Sequence, residues 1–345
     1  RVHRRLRPVA PAHLSAGRPP MTSAPAIVVG GGISGVACAS ALAAAGIPAQ
    51  LRERAHRLGG RMASRTLRDT GTAFDGRVVD IGASYFTATD PDFAGVVALL
   101  QAEGVVRPWT SGFHVAGPEG IEGVSGGAAR YAAPRGLRSV VEVMARDLPA
   151  VSLEAPVESV VVDGSHLTID GLPAAAAALC MPAPQARRIC DVLPDDPTTW
   201  EPVLAVTCVF ERSSWIDIDG VFVNGDPVIT WIADDGSRRG DGAPVLVAHV
   251  DPVLSARHLG DPATVVPMAV AAIQRVLQVR DCPEWVDVHR WSYAKPLASS
   301  PEPFWLDDGT SLGMAGDAFS AGPKVESAWL AGHRLGAALA ARLAD

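Results

Sequence analysis

An α/β fold, a parallel sheet joined to a smaller and mainly antiparallel layer, is what this sequence predicts, and three stretches predict it. The apolar run 26–29 meets a glycine cluster, and a helix of small residues and a second short strand follow. Runs of that kind read as buried parallel strands. The middle of the chain carries β-rich segments at 203–210, 221–224, 228–233 and 245–250, separated by turn residues, as in an antiparallel sheet. Near the end, 312–317 closes on Gly316-Asp317 and a helix is expected at 325–343.

Taken in order, the first twenty residues are rich in Arg and Pro and lack the apolar core of a signal peptide. They read as a disordered tail over 1–23, upstream of a start at Met21. The strand at 26–29 leads into a helix at 34–45 ended by Gly46, and a second strand follows at 47–53. Helices are expected at 92–103, with Asp90 or Asp92 near the cap, and at 137–147. The stretch 151–169 alternates around Asp163-Gly164 and reads as one hairpin. The alanine run 174–178 favours helix by propensity, yet its continuation into Cys180, Met181 and Pro182 reads as a strand leaving the sheet. A last internal helix is expected at 264–279. The division expected is 24–85, 133–190 and 285–345 for a discontinuous cofactor domain, with 86–132 and 191–284 forming an α+β substrate domain.

The 345 residues, 48% of them apolar, can bury a sizeable core. A net charge of -7 argues against a nucleic-acid surface, which needs clustered Lys and Arg. No stretch is long and apolar enough to read as a membrane span. The five cysteines, Cys38, Cys180, Cys190, Cys208 and Cys282, show no zinc-site spacing and read as free thiols of a cytoplasmic protein. No metal site is expected.

Gly30-x-Gly32-x-x-Gly35 follows a strand and opens a helix, the context in which this pattern binds a dinucleotide. The first glycine permits the turn, the second lets backbone approach the pyrophosphate, and the third allows helix and strand to pack closely. The helix start, at Ile33 and Ser34, offers N–H groups to phosphate. Glu53, at the end of the second strand, can bind ribose hydroxyls and would repel a 2′-phosphate. The segment from Arg54 through Gly60, Arg61 and Met62 adds a flexible turn and a cation for the pyrophosphate. At the far end Gly316 and Asp317 can reach polyol hydroxyls. The helix start at Val325, Glu326 and Ala328 can direct N–H groups at an electron-rich ring edge. Together these favour a Rossmann-like site for non-covalent FAD over one for NAD. No cysteine lies near the C-terminal segment to form a thioether link.

The Gly30–Gly35 loop, Glu53 and the Gly59-Gly60-Arg61-Met62 turn resemble those of the amine-oxidase-like flavoproteins. The segments 80–91, 131–137, 181–185, 230–234, 248–252 and 290–296 are similar to those of the bacterial renalase-like branch. That resemblance implies a two-domain flavin oxidase that returns off-pathway dihydronicotinamide isomers to NAD(P)⁺, with oxygen as acceptor and hydrogen peroxide as product. It places Gly82 and Ala83 beside the flavin, Val157 at the adenine, and His249 at the end of a substrate-domain strand facing the ring. Tyr85, Trp231, Trp291 and Tyr293 become candidate walls for a nicotinamide. Lys295 becomes a candidate for holding a water near flavin N5, as a lysine does in many amine oxidases. Ile81, Ser84 and Thr89 stand where the branch usually has His, Gln and Arg. Three other readings remain: an amine oxidase with a tyrosine cage, drawn from Tyr85, Tyr131 and Tyr293, a flavin-binding protein without turnover, and a desaturase acting on a lipid or natural product. In each the partner is a small molecule, and no oligomeric state follows from the sequence.

Overall fold

Backbone hydrogen bonding sorts the chain into two large sheets and two small ones. The computed structural model describes residues 24–194, 198–320 and 322–344; the tail expected at 1–23 lies outside them.

The first sheet has six strands, in the order 305–306, 312–314, 176–179, 26–29, 49–52 and 151–152. Ala26–Val29 pairs in parallel with both Ala49–Arg52 and Ala176–Leu179. The alanine run is thus a central, fully buried strand, despite its helical propensity. Its backbone is paired on both edges, by Ala26–Val29 and by Leu312–Met314, and methyl side chains let helices lie close on its faces. Ile33–Ala44 packs on this sheet beside the last helix, Val325–Ala344. Their backbones touch at two glycines: a Cβ on Gly332 would lie 1.9 Å from the Ser34 carbonyl oxygen, and one on Gly336 2.5 Å from that of Cys38.

The second sheet has seven strands, in the order 285–296, 200–209, 245–250, 229–234, 220–223, 107–117 and 120–132. All its pairings are antiparallel except that of Gly220–Val223 with Arg107–Gly117. One face carries Leu204, Val206, Ile232, Leu246 and Ala248 against the helix Val266–Leu277. The other face looks toward the first sheet. Among the described residues no helix is long and apolar enough to cross a membrane.

Three expectations are corrected. The stretch 151–169 is not one hairpin. Val151–Ser152 joins the first sheet in parallel, and only Val160–Asp163 and His166–Ile169 form a hairpin, around Gly164 with φ 59. Trp285–Pro296, expected with the cofactor domain, is the edge strand of the seven-stranded sheet, paired along Trp200–Val209. The helix Pro91–Ala102, expected with the substrate domain, sends Phe93, Val97 and Leu100 into the core beneath the six-stranded sheet.

The two glycines of the last helix define a test. Gly332→Ala should cost about 1–3 kcal/mol or more, because both neighbouring backbones must shift to admit a methyl group. The denaturant midpoint measures it, and an unchanged midpoint would show that the helices do not approach as described.

Candidate functional site

Between the two sheets runs one elongated cavity of about 1780 Å³. Its first end is the glycine loop. Gly30 has φ 108, and a Cβ there would stand 2.9 Å from the Cys180 carbonyl oxygen. A Cβ on Gly35 would meet the Gly30 oxygen at 1.9 Å, so this glycine serves packing and does not line the cavity. Gly32 caps the first helix with only the Gly60 Cα near its missing Cβ, at 3.9 Å. The helical ladder begins with Val36 N–H donating to the Gly32 oxygen at 3.0 Å. The preceding N–H groups have no partner within the helix. The Ser34 hydroxyl is buried and also unpartnered, and Ile33 and Ser34 both line the cavity. These unfilled donors at a helix start suit an oxyanion.

Glu53 is buried, and the chain itself fixes its carboxylate. Gly31 N–H donates to Oε2 at 2.6 Å and Ala55 N–H to Oε1 at 2.8 Å. Each oxygen keeps acceptor capacity for a sugar hydroxyl. The loop carrying Val157 is held alongside, with Ala155 N–H donating to the Glu53 carbonyl at 2.9 Å and Glu154 N–H to that of Ala55 at 3.0 Å. Arg54 sits exposed at the rim, and Met62 is buried in the wall.

Arg61 and Asp317, read separately from the sequence as a phosphate partner and a polyol partner, face each other. The guanidinium donates to both carboxylate oxygens, at 2.7 and 2.6 Å, and to the Ala294 carbonyl at 3.1 Å. It also lies 5.3 Å from the centre of the Trp200 ring. The charge of Arg61 is therefore balanced within the protein, because the two segments meet at the middle of the cavity. Among the described residues no carboxylate pairs with Arg138, which lies beside the glycine turn and which sequence reasoning missed. Its Nε is buried and unpartnered, and its side chain lies against Gly59. Burial first, then the Arg57 charge, lowers its pKa, so its surroundings favour an anion. The signal available was its place at the start of the helix Arg138–Met144, just after Gly136.

At the other terminus Gly316, Val325 and Ala328 line the cavity, but Glu326 does not. Its carboxylate accepts from Asp90 N–H at 2.7 Å and from the Thr89 backbone N–H and hydroxyl, bracing the last helix against Pro91–Ala102. The Glu326 side chain thus serves packing: a buried carboxylate must be satisfied, and these donors are the ones beside it.

The second end of the cavity is paved by a row of residues across the sheet. Phe222 pairs with Trp231, Trp231 with His249, His249 with Ala205, and Ala205 with His289. Opposite lies the segment 81–85. A Cβ on Gly82 would fall 2.0 Å from the Arg61 carbonyl oxygen, and Ala83 N–H donates to that same oxygen at 2.9 Å. Trp291 Nε1 donates to the Ile81 carbonyl at 2.7 Å, and Trp231 Nε1 to the Ser84 hydroxyl at 3.0 Å. Tyr85 packs on Phe113 and Trp231, with ring centres 5.0 and 5.9 Å apart. Tyr293 accepts from Arg188 at 2.8 Å near the mouth, whereas Tyr131 stacks on Phe86 outside the cavity.

Family and structural comparisons agree with this geometry. Residues 28–100 match the family model described as an NAD(P)-binding Rossmann-like domain. A structure titled as a protoporphyrinogen oxidase from Exiguobacterium sp. 255-15 superposes with a TM-score of 0.73 at 16% identity, over 93% of this chain and 100% of that one. A putrescine oxidase redesigned in its cofactor binding gives 0.70 at 17% identity, over 92% and 99%. Cyclohexylamine oxidase from Brevibacterium oxydans IH-35A gives 0.69 at 16%, over 93% and 100%. At these identities the likeness establishes a shared fold over nearly the whole chain.

Two candidates differ sharply in setting. Lys295 reaches only Glu201, at 3.9 Å, with more than half its side chain exposed. It lines the cavity as a rim residue. An exposed ammonium keeps its hydration at no cost, and its strand partner supplies the nearest carboxylate. His249 is enclosed, and its Nε2 has no hydrogen-bond partner. Burial foremost, then the Arg238 charge, pushes its pKa down to about 4, with the Gly82 backbone pulling the other way. It is neutral at pH 7.

A proton-linked loss of stability follows. Between pH 6.5, the ordinary histidine value, and about 4, the unfolded chain binds a proton at His249 that the folded chain refuses. The His249 contribution is present above 6.5 and is lost as pH falls, by up to about 3 kcal/mol at ~1.4 kcal/mol per pKa unit. Denaturant melts at pH 7 and pH 5 should differ less in His249→Gln than in the wild type; an equal difference would assign the loss to other groups.

Proposed function

We propose that the chain binds FAD non-covalently and acts as an oxidase that takes a hydride from a dihydronicotinamide isomer of NAD(P)H, with oxygen as final acceptor and hydrogen peroxide as product. The observation that carries this reading is continuity. The glycine cradle and the aromatic chamber share one cavity of about 1780 Å³. Single ligands usually occupy roughly 300–1,000 Å³, so there is room for a dinucleotide and a second molecule together.

The residues present fit FAD. The unpartnered Ser34 hydroxyl and the free N–H groups around it take the pyrophosphate, with Arg138 as counter-charge. Glu53 takes the ribose, and the Val157 loop closes the adenine end. Gly82, Ala83 and Gly316 keep the walls of the middle section low, and the start of the last helix turns its partial positive charge inward. When bound, the flavin supplies the hydride acceptor and passes electrons on to oxygen. The protein's own task is then positioning and exclusion of water. His249, neutral and with Nε2 unpaired, can hydrogen-bond a carboxamide or a ribose hydroxyl. Trp231, Trp291 and Tyr85 offer faces against which a nicotinamide ring can lie. Hydride transfer from such a ring needs no base, in keeping with a chamber whose histidine resists protonation. The choice of substrate rests on the segments at 80–91, 248–252 and 290–296 that resemble the renalase-like branch.

Two of the solved relatives are named for amine substrates, which favours a second reading, an amine oxidase. Against it, Tyr131 lies outside the cavity and Tyr85 is packed among Phe113 and Trp231, so no facing tyrosine pair is formed.

Anaerobic mixing of the purified yellow protein with 2-, 4- and 6-dihydroNAD(P) tests the proposal. Rapid bleaching of the flavin band by the 2- or 6-isomer, and not by the 4-isomer, is expected. Bleaching by amines alone would establish the second reading, and bound flavin that no donor reduces would leave a binding protein without turnover. Lys295→Met should change the bleaching rate by less than about twofold, since an exposed rim lysine contributes little; a loss of about a hundredfold would place Lys295 in the chemistry.

A further inference from the structure

The interior holds several arginines, and all but one of the deeply buried ones have an acid. Arg77, Arg238 and Arg239 all pair with Asp235. Arg130, only 8% exposed, has none: among the described residues no carboxylate pairs with it and no acceptor bonds it, and its buried Nη1 is unpartnered. Its only neighbours of note are aromatic, the Phe113 ring at 4.3 Å and the Tyr85 ring at 5.8 Å from the guanidinium carbon. A cation over a ring face gains about 0.5–2 kcal/mol, which does not replace the hydrogen bonds that a buried charged donor requires. Arg130 lies on the long strand Gly120–Ala132 and lines the cavity together with Ala128. A Cβ on Gly127 would stand 3.2 Å from its Nη2, so the glycine leaves room for the head group.

We infer that Arg130 is an anion-recognition site for the substrate, its guanidinium taking a phosphate or carboxylate group of a molecule whose ring lies on the wall formed by Tyr85, Phe222 and Trp231. This rests on the reading of that chamber as the substrate end of the cavity. The planar fork of an arginine matches either oxyanion with two parallel hydrogen bonds. The same charge disfavours an alkylammonium donor, so the chamber selects anionic donors over amines.

The test is binding to the FAD-saturated protein, followed by tryptophan fluorescence. Benzoate and phenyl phosphate probe the two oxyanions, and benzamide is the neutral control. Both anions, or one of them, should bind about tenfold or more tightly than benzamide, the ratio expected for a charge-assisted hydrogen bond. The stronger of the two identifies carboxylate or phosphate as the preferred group. Arg130→Met should abolish the preference while leaving benzamide affinity unchanged, and Arg130→Lys should keep part of it. If Arg130→Met does not fold, Arg130→Gln replaces it with the same expected loss. A wild type without anion preference, or a preference that survives loss of the guanidinium, overturns the inference. Donor bleaching separates this from the proposed function: bleaching by a dihydronicotinamide without anion preference removes Arg130 alone, and anion preference without bleaching removes that substrate alone.

Discussion

The Asp235 carboxylate, fully buried where the seven-stranded sheet meets the small sheet of Ser64–Thr66 and Val78–Asp80, receives three guanidiniums, and the site is built outward from it. Arg77 and Arg239 share one oxygen, at 2.8 and 3.0 Å, and Arg238 holds the other. Asp80 and Asp241 complete the set, so three cations meet three anions. Such a group is worth little as net stabilisation, because desolvation offsets most of the attraction. Its value is geometric. Arg238 also donates to the carbonyls of Asp80 and Ser84, each at 3.3 Å. Asp80 in turn accepts from the Ser64 hydroxyl at 2.6 Å and Leu137 N–H at 2.8 Å. The segment between Asp80 and Ser84 is thereby pinned at both ends, and Gly82 and Ala83 are carried to the centre of the cavity. Burial is the main reason that His249 stays neutral, and the Arg238 charge adds to it.

From that anchor the two layers divide the work. The six-stranded sheet and the first helix bring fixed donors and a fixed acid, all set by backbone geometry and glycine contacts. The seven-stranded sheet brings large side chains, arranged by strand register so that one cross-strand row faces the cavity while the next packs beneath the helix Val266–Leu277. One end is thus built of backbone and small residues and the other of aromatic rings and a single unpaired guanidinium. A dinucleotide has the same contrast along its length.

Much of the first sheet was legible in the sequence, because its signals are local. Gly30 to Gly35, Glu53 and Gly46 report turns and ends within a few residues of themselves. The central strand at 176–179 was legible only in part: alanine carries no strand preference, and the pairing that makes it a strand comes from residues about 150 positions earlier and 135 later. The long hairpin of Arg107–Gly117 and Gly120–Ala132 gave no readable pattern. Its second strand is rich in glycine and exposed at the sheet edge, so alternation of apolar and polar residues is absent. In the site, spacing pointed to Arg61, Asp317 and Glu326 as ligands, yet it could not show that Arg61 meets Asp317 or that Glu326 meets Thr89 and Asp90. Arg130 and Arg138 were missed for the complementary reason. An arginine without a partner is defined by what does not surround it, and only three dimensions show that.

The clasp between Arg61 and Asp317 joins positions 256 residues apart, and the strand Leu312–Met314 and last helix that frame it complete the sheet and shield the first helix. A ribosome therefore adds 256 residues after Arg61 before the cradle has its second wall. Enclosure of the cavity thus waits on a segment made long after the glycine loop. A chain broken off before Leu312 keeps the glycine loop and lacks both the strand that completes this side of the sheet and the helix that covers the first one.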